Sequence, residues 1–219
     1  MPHSFKAPFL HFPFISQYFT DVFKDAADLL PAEASMVAGA SAKRQSDFVT
    51  GRYCARQALI NLRNISPAIM RGENKEPIWP DGVVGSISHS EKMVGAVVAL
   101  KEHVAAIGLD IETIGRVNLD MWDLIFNKTE QDLIRNKQGD GIDWATLMFS
   151  LKESFYKLQY PLTGQFLDFT DILISEVDGE LQFSSAKAGY DLNSIGLNEI
   201  KTHWAKFGDQ LITLCYARI

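Results

Sequence analysis

Apolar residues recur at helical spacing along residues 46–63, where Phe48, Cys54 or Ala55, Ala58, Leu59 and Leu62 share one side and Ser46 can cap the start. The spacing predicts an amphipathic helix that carries Arg52 and Arg56, four residues apart, on a common face. Residues 74–82 contain Pro77, Pro80 and the Asp81-Gly82 step, so they read as loop. Residues 83–90 alternate, and the apolar run 93–100 follows the turn-like Ser90-Glu91-Lys92, so the pair predicts a hairpin. A further strand is expected at 105–112. In 144–158, Trp144, Leu147, Met148, Leu151, Phe155 and Leu158 follow a three-four spacing, which predicts a second helix that Pro161 ends. Strands are expected at 172–177, 181–184 and 210–218, the first two parted by Asp178-Gly179. This order divides the chain into two α+β halves, 1–106 and 107–219, with no exact repeat, low-complexity tract or flexible linker.

Composition narrows the class. A chain of 219 residues, 47% hydrophobic and 22% charged, can bury a core without staples. Its net charge of −6 is the wrong sign for a general nucleic-acid or anionic-membrane binder. Cys54 and Cys215 have neither a metal-finger nor a disulfide-framework spacing, which fits a reducing compartment. Residues 1–14 are apolar but broken by Pro2, Pro8, Pro13, His3, Lys6 and His11, unlike a secretory leader. No run reaches the roughly 18 apolar residues of a membrane span. A cytoplasmic location and a monomer are expected.

The charge is unevenly spread. Residues 43–76 hold Lys43, Arg44, Arg52, Arg56, Arg63, Arg71 and Lys75 against three acids, whereas residues 108–143 hold eight acids, Asp140 among them, against four bases. Either these are two solvated surfaces or an anion-binding stretch precedes an acidic one. Asp110 and Glu112, at i and i+2 of a predicted strand, point to one face. That pair reads as a solvent-facing strand edge or as hard oxygen ligands for Mg²⁺. Glu153 lies off the apolar stripe of its helix with Lys157 four residues on, either an ordinary surface ion pair or a pair of site residues. Ser88 and His89, in Gly85-Ser86-Ile87-Ser88-His89-Ser90, offer donors to phosphate oxygens. Both G-x-x-x-x-G-K-[ST] and G-x-G-x-x-G are missing, so phosphate binding falls to side chains. Ser154-x-x-Lys157 has the spacing of a Ser/Lys acylase but lacks its partner motifs.

Taken in order, the basic helix with Arg52 and Arg56, Lys75-Glu76-Pro77-Ile78-Trp79-Pro80, Ser86-Ile87-Ser88-His89-Ser90, Gly108-Leu109-Asp110-Ile111-Glu112, and Trp144 with Ser150-Leu151-Lys152-Glu153-Ser154-Phe155-Tyr156-Lys157 resemble the 4′-phosphopantetheinyl transferases. The likeness is greatest to their siderophore-type, enterobactin synthase component D-like branch, and it covers about half the chain, Lys43 to Lys157. It implies two similar α+β halves related by a pseudo-twofold, with the active site between them. It also implies Mg²⁺-dependent transfer of the phosphopantetheine arm of coenzyme A to a serine of an acyl, aryl or peptidyl carrier protein, releasing adenosine 3′,5′-bisphosphate. By resemblance Arg56 meets the 3′-phosphate, Lys43, Arg44 and Arg52 help hold the nucleotide end, and Lys75, Ser88 and His89 contact phosphate or nucleotide. Asp110, Glu112 and Glu153 match the magnesium ligands. Glu153 is also the expected base, and Lys157 the group that neutralises the leaving phosphate, although which carboxylate is base and which only ligand stays open. Siderophore, non-ribosomal peptide or polyketide and fatty-acid biosynthesis is the expected setting. Another Mg²⁺-dependent phosphoryl-transfer enzyme and a non-catalytic coenzyme A or carrier-binding module are the alternatives. Met121, Trp122, Ile125 and Phe126 read as a carrier-docking patch or as the core of a short helix, with Arg116 and Arg135 near enough to meet carrier acids.

Overall fold

The computed structural model describes residues 8, 9, 11–137, 139, 141–197 and 199–219. Pro2, His3 and Lys6 of the N-terminal pattern, and Asp140 of the acidic stretch, lie outside the described residues. The chain opens with β1 (Ile15–Thr20), α1 (Ala42–Arg63), the short ladder β2 (Met70–Arg71) and β3 (Pro77–Ile78), then β4 (Val83–His89) and β5 (Val94–Leu100). It continues through β6 (Val104–Thr113), α2 (Trp122–Ile125), α3 (Lys128–Asn136), α4 (Trp144–Thr163), β7 (Ile172–Val177), β8 (Glu180–Ser185), β9 (Ile200–Phe207) and β10 (Gln210–Arg218). One plan is used twice. A strand, a long helix, a two-stranded ladder and two further strands form an antiparallel sheet whose first strand pairs with its last: β1-β5-β4, then β6-β10-β9. The result is two similar α+β halves. The expected division at 106/107 falls inside β6, three residues after that strand begins.

Alternation along the strands fixes the layers. On β5, Val94, Ala96 and Val98 face Cys54, Ala55, Ala58 and Leu59 of α1, while Val97 and Ala99 turn to the opposite side. On β6, Ile107, Leu109 and Ile111 meet Ile212 and Leu214 of β10 in that same inner cluster. Both sheets therefore share an apolar layer, each with its own helix outside. The even-numbered residues of β6 face α4, whose Leu147, Leu151, Phe155 and Leu158 pack with Ala106, Leu211 and Cys215. The halves are joined where β4 runs beside β6: Leu109 N–H donates to Ser86 Oγ at 3.0 Å and Ile111 N–H to Ser88 Oγ at 3.2 Å. Side chains thus replace a backbone ladder at the junction.

Two helix boundaries differ from expectation. α1 starts four residues earlier, because Ser41 rather than Ser46 accepts from an early backbone N–H, that of Arg44; Ser46 instead donates to the Lys24 carbonyl. The extra turn brings Lys43 and Arg44 into the helix. α4 runs through Pro161 to Thr163. Proline removes one N–H and strains the turn before it, yet the end holds because Gly164, in the left-handed region at φ 64°, donates to the Tyr160 carbonyl at 2.8 Å. The loop at 74–82 contains the two residues of β3, and β4 with β5 forms the expected hairpin.

Candidate active site

Gly108 lets the site assemble. A Cβ there would lie 1.9 Å from the Ser154 carbonyl oxygen, so only glycine admits the α4 backbone this close to β6. Two residues on, Asp110 is buried on the same face. Its Oδ2 accepts from Ser150 Oγ at 2.8 Å, and its Oδ1 from Ser88 Oγ at 3.0 Å and Lys157 Nζ at 2.6 Å. Lys157 also donates to Ser88 Oγ at 2.9 Å. The sequence motifs around Ser88, Asp110 and Lys157, on three different elements, thus converge on one cluster. Behind it, Thr213 of β10 bonds to Ser150 and Ser154. Ser154 is fully buried in this contact, so the Ser/Lys acylase spacing has no exposed nucleophile.

Glu112 and Glu153 complete the acidic group. Burial, and then the charge of Asp110, raise the Glu112 pKa to about 7, with Glu153 adding to the rise. Arg116, whose Nε lies 3.9 Å from Glu112 Oε2, opposes it. Burial likewise raises Glu153, with Asp110 adding to the shift and Lys157 opposing it. Three carboxylates therefore repel one another in a partly dry setting, an arrangement that a cation relieves. Among the described residues no group of three or more His, Cys, Asp or Glu is arranged to hold a metal ion. The two Asp110 oxygens accept from three protein donors, so an ion there would share them with Ser88, Ser150 and Lys157.

Beside this cluster lies a cavity of about 200 Å³ lined by Arg44, Arg52, Arg71, Lys75, His89 and Asp47, with Phe48 and Met36 as apolar wall. Arg52 is held by the Ile69 carbonyl at 2.7 Å and lies over the Phe48 ring at 4.4 Å. Burial lowers its pKa to about 10, still well above neutrality. Lys75 takes the left-handed conformation, φ 73°, rare for a residue with a Cβ. It lines this cavity and a second, of about 230 Å³, that reaches Tyr156, Lys157 and Tyr160 on α4. Lys75 therefore borders both the basic cavity and a space that reaches Lys157, the partner of Asp110. The His89 ring lies 3.8 Å from Asp47, and burial lowers its pKa, with Lys157, Lys43 and Arg44 pushing the same way. Glu153 lines a third space of about 220 Å³, with Tyr156 and Phe169.

Not every expected residue joins the cavities. Lys43 is largely exposed and pairs with Asp47 at 3.3 Å. Ser88 sits with Asp110 and Lys157 rather than in the basic cavity. Arg56 does not line it: its guanidinium is buried against Glu33 at 2.7 Å and the Asp28 carbonyl at 2.6 Å. Arg71, counted in the basic stretch but given no role, does line it. Trp122, Ile125 and Phe126 are core residues packed with α4, so the short-helix reading of that segment holds; Leu119 and Leu124 are the exposed apolar residues there. Arg135 lies over the Trp122 ring and pairs with Asp132. Ser150 stands in the Ser150–Lys157 motif without an assigned role, and Thr213 carries no sequence signal beyond being polar within an apolar strand.

Two family models match the chain: the 4′-phosphopantetheinyl transferase N-terminal domain over residues 32–99, and the 4′-phosphopantetheinyl transferase superfamily over residues 106–215. Among curated relatives, 4′-phosphopantetheinyl transferase PptT of Mycobacterium tuberculosis is 36% identical over 160 residues, 72% of this chain and 70% of that protein. The transferase Svp of Streptomyces mobaraensis is 38% identical over 156 residues, 70% of this chain and 63% of that one. Enterobactin synthase component D of Escherichia coli K12 is 36% identical over 135 residues, 59% of this chain and 62% of that one.

Proposed function

The chain belongs to the 4′-phosphopantetheinyl transferase superfamily, and on that premise we propose that it moves the phosphopantetheine arm of coenzyme A onto a serine of a carrier protein, with the chemistry divided between its two halves. The observation that carries this reading is the meeting of Asp110, Glu112, Glu153 and Lys157 beside a cavity walled by Arg44, Arg52, Arg71, Lys75 and His89. In the first half, up to Leu100, these cations neutralise the phosphates of coenzyme A; in the second, from Val104, the carboxylates and Lys157 meet the reacting phosphorus. A single copy of the chain holds every group named. No helix among the described residues is long and apolar enough to cross a membrane, and we place the reaction in the cytoplasm.

Glu153 takes the proton of the carrier serine, and its raised pKa makes it the stronger base once ionised. The serine oxygen then attacks the phosphorus nearest pantetheine, and the bond to the adenosine-bearing phosphate breaks. Lys157, oriented by Asp110 and Ser88, neutralises the charge that builds on the leaving phosphate. Asp110, Glu112 and Glu153 are hard oxygen ligands of the kind Mg²⁺ takes. A cation among them would offset the burial and the neighbouring charge that raise Glu112 to about 7, with Asp110 giving up a protein donor such as Lys157 to reach it. Bound there, Mg²⁺ supplies Lewis-acid polarisation of the pyrophosphate.

The test mixes the chain, coenzyme A, Mg²⁺ and an unmodified acyl, aryl or peptidyl carrier and measures adenosine 3′,5′-bisphosphate. The expected result is release in proportion to carrier. Release without carrier would mark a hydrolase, and coenzyme A binding without release from any carrier class would mark a binding module; either overturns the reading.

A further inference from the structure

In each half one carboxylate that caps a helical turn is buried against the long helix, Glu33 in the first and Glu130 in the second, and the two arrangements match. In the first half Glu33 is fully buried in the 3-10 turn Pro31–Val37. It accepts from Arg56 of α1 at 2.7 Å, from Ile69 N–H at 2.9 Å and from Leu30 N–H at 3.2 Å, while Arg56 also donates to the Asp28 carbonyl. In the second half Glu130 is buried in the first turn of α3. It accepts from Lys152 of α4 at 2.9 Å, from Ile174 N–H at 2.8 Å and from Asn127 N–H at 3.0 Å. Lys152 also donates to the Ile125 and Phe169 carbonyls at 2.9 and 2.8 Å. Order and kind agree throughout. The carboxylate caps its own helical turn, takes a cation from the long helix that follows, and takes an N–H from the segment after that helix.

A buried ion pair is poor evidence of added stability, because desolvation offsets most of the attraction. What this arrangement does provide is geometry. Lys152 ties α4 to the end of α2, the start of α3 and the Phe169 turn at once. Glu153 is the next residue, and it shares its cavity with Phe169. From the other side, Ser150 and Lys157 tie the same helix to Asp110. We propose that the Glu130–Lys152 pair is a positioning device that sets Glu153 against the reacting centre, and that Glu33–Arg56 is its first-half copy, holding α1 so that Arg52, one turn earlier, walls the basic cavity. On this assignment Arg56 acts through Arg52 rather than by touching coenzyme A. The proposal rests on the transferase reading above.

The test compares wild type, Lys152→Met and the double variant Glu130→Gln/Lys152→Met of the full chain, by melting temperature, coenzyme A calorimetry and steady-state transfer. The single variant leaves a buried carboxylate without its cation and should melt earlier. The double variant removes both charges and should recover most of the melting temperature. It should nonetheless keep kcat about tenfold or more below wild type, with coenzyme A affinity within about twofold, since a misplaced group costs rate rather than ground-state binding. Recovery of kcat together with the melting temperature would make the pair merely structural and overturn the proposal. Absence of transfer by wild type would overturn the transferase reading instead. For the first-half copy, Glu33→Gln/Arg56→Met should weaken coenzyme A and 3′-dephospho-coenzyme A by the same factor. A loss confined to coenzyme A would return Arg56 to the 3′-phosphate and refute the copy.

Discussion

Lys157 is fixed by Asp110 and Ser88, whereas Glu153 borders open space; the two therefore call for different tests. Glu153→Gln keeps shape and removes the base. Transfer should fall about 10²–10⁴-fold with an unchanged melting temperature, and turnover near wild type would remove Glu153 from proton transfer. Glu112 gives a pH signature. Its folded pKa of about 7 lies above the unfolded value of 4.5, so between these the folded chain keeps a proton that the unfolded chain has lost. Its contribution to stability declines as pH rises through that window. Added Mg²⁺ should therefore raise the melting temperature more at about pH 8 than at about pH 5.5, and equal rises would contradict a cation at Glu112. Lys75 tests the basic cavity: Lys75→Gly relieves a left-handed backbone worth about 1 kcal/mol but removes a cation. Stability should hold or rise while the KM for coenzyme A increases, and an unchanged KM would take Lys75 out of the site. The two-residue strand period and the four-residue helix period place Asp110 with Glu112, and Glu153 with Lys157, on common faces, but the spacing fits a plain strand edge and a surface ion pair equally well. Only the resemblance to the transferases gives these residues a role. Arg71 and Ser150 stand in the basic stretch and the helix motif but get no role there, since what each does arises from neighbours distant in sequence.

At the level of elements, the contact of β6 with α4 is the sensitive one. Gly108→Ala sets a methyl group against the Ser154 carbonyl, where neither backbone can yield without separating Asp110 from Ser150 and Lys157. The expected loss is at least about 1–3 kcal/mol by denaturant titration, together with activity; wild-type stability would mean that the two elements are not held this closely. Sequence period disclosed α1, α4, β5 and β6, each of which buries an apolar face, and β4 through its alternation and the turn that joins it to β5. It did not disclose β9, an edge strand with Lys201 and Lys206 exposed and only partial burial, nor β1, whose aromatic and polar residues make no clean alternation. The extension of α4 through Pro161 escaped for another reason: a burial-driven helix overrides a single breaker when its last turn is closed by Gly164.

Across the whole molecule, the twofold use of one plan was only partly readable, because it is carried by strand order and by the Glu33–Arg56 and Glu130–Lys152 pairs rather than by repeated sequence. The uneven charge has a counterpart in the fold. The basic stretch supplies Arg44, Arg52, Arg71 and Lys75 to one cavity, and the acidic stretch supplies Asp110 and Glu112 to the cluster beside it. Its other acids went elsewhere: Glu130 into the buried staple and Asp143 to the cap of α4. The central claim is that these two regions act on one substrate. It is tested most directly by the intact mass of an unmodified carrier protein after incubation with the chain, coenzyme A and Mg²⁺. The account predicts a gain of one phosphopantetheine on wild-type carrier, and no gain when the carrier serine is changed to alanine or when the chain carries Glu153→Gln. An unshifted carrier mass across acyl, aryl and peptidyl carriers, or an equal gain with Glu153→Gln, would contradict it.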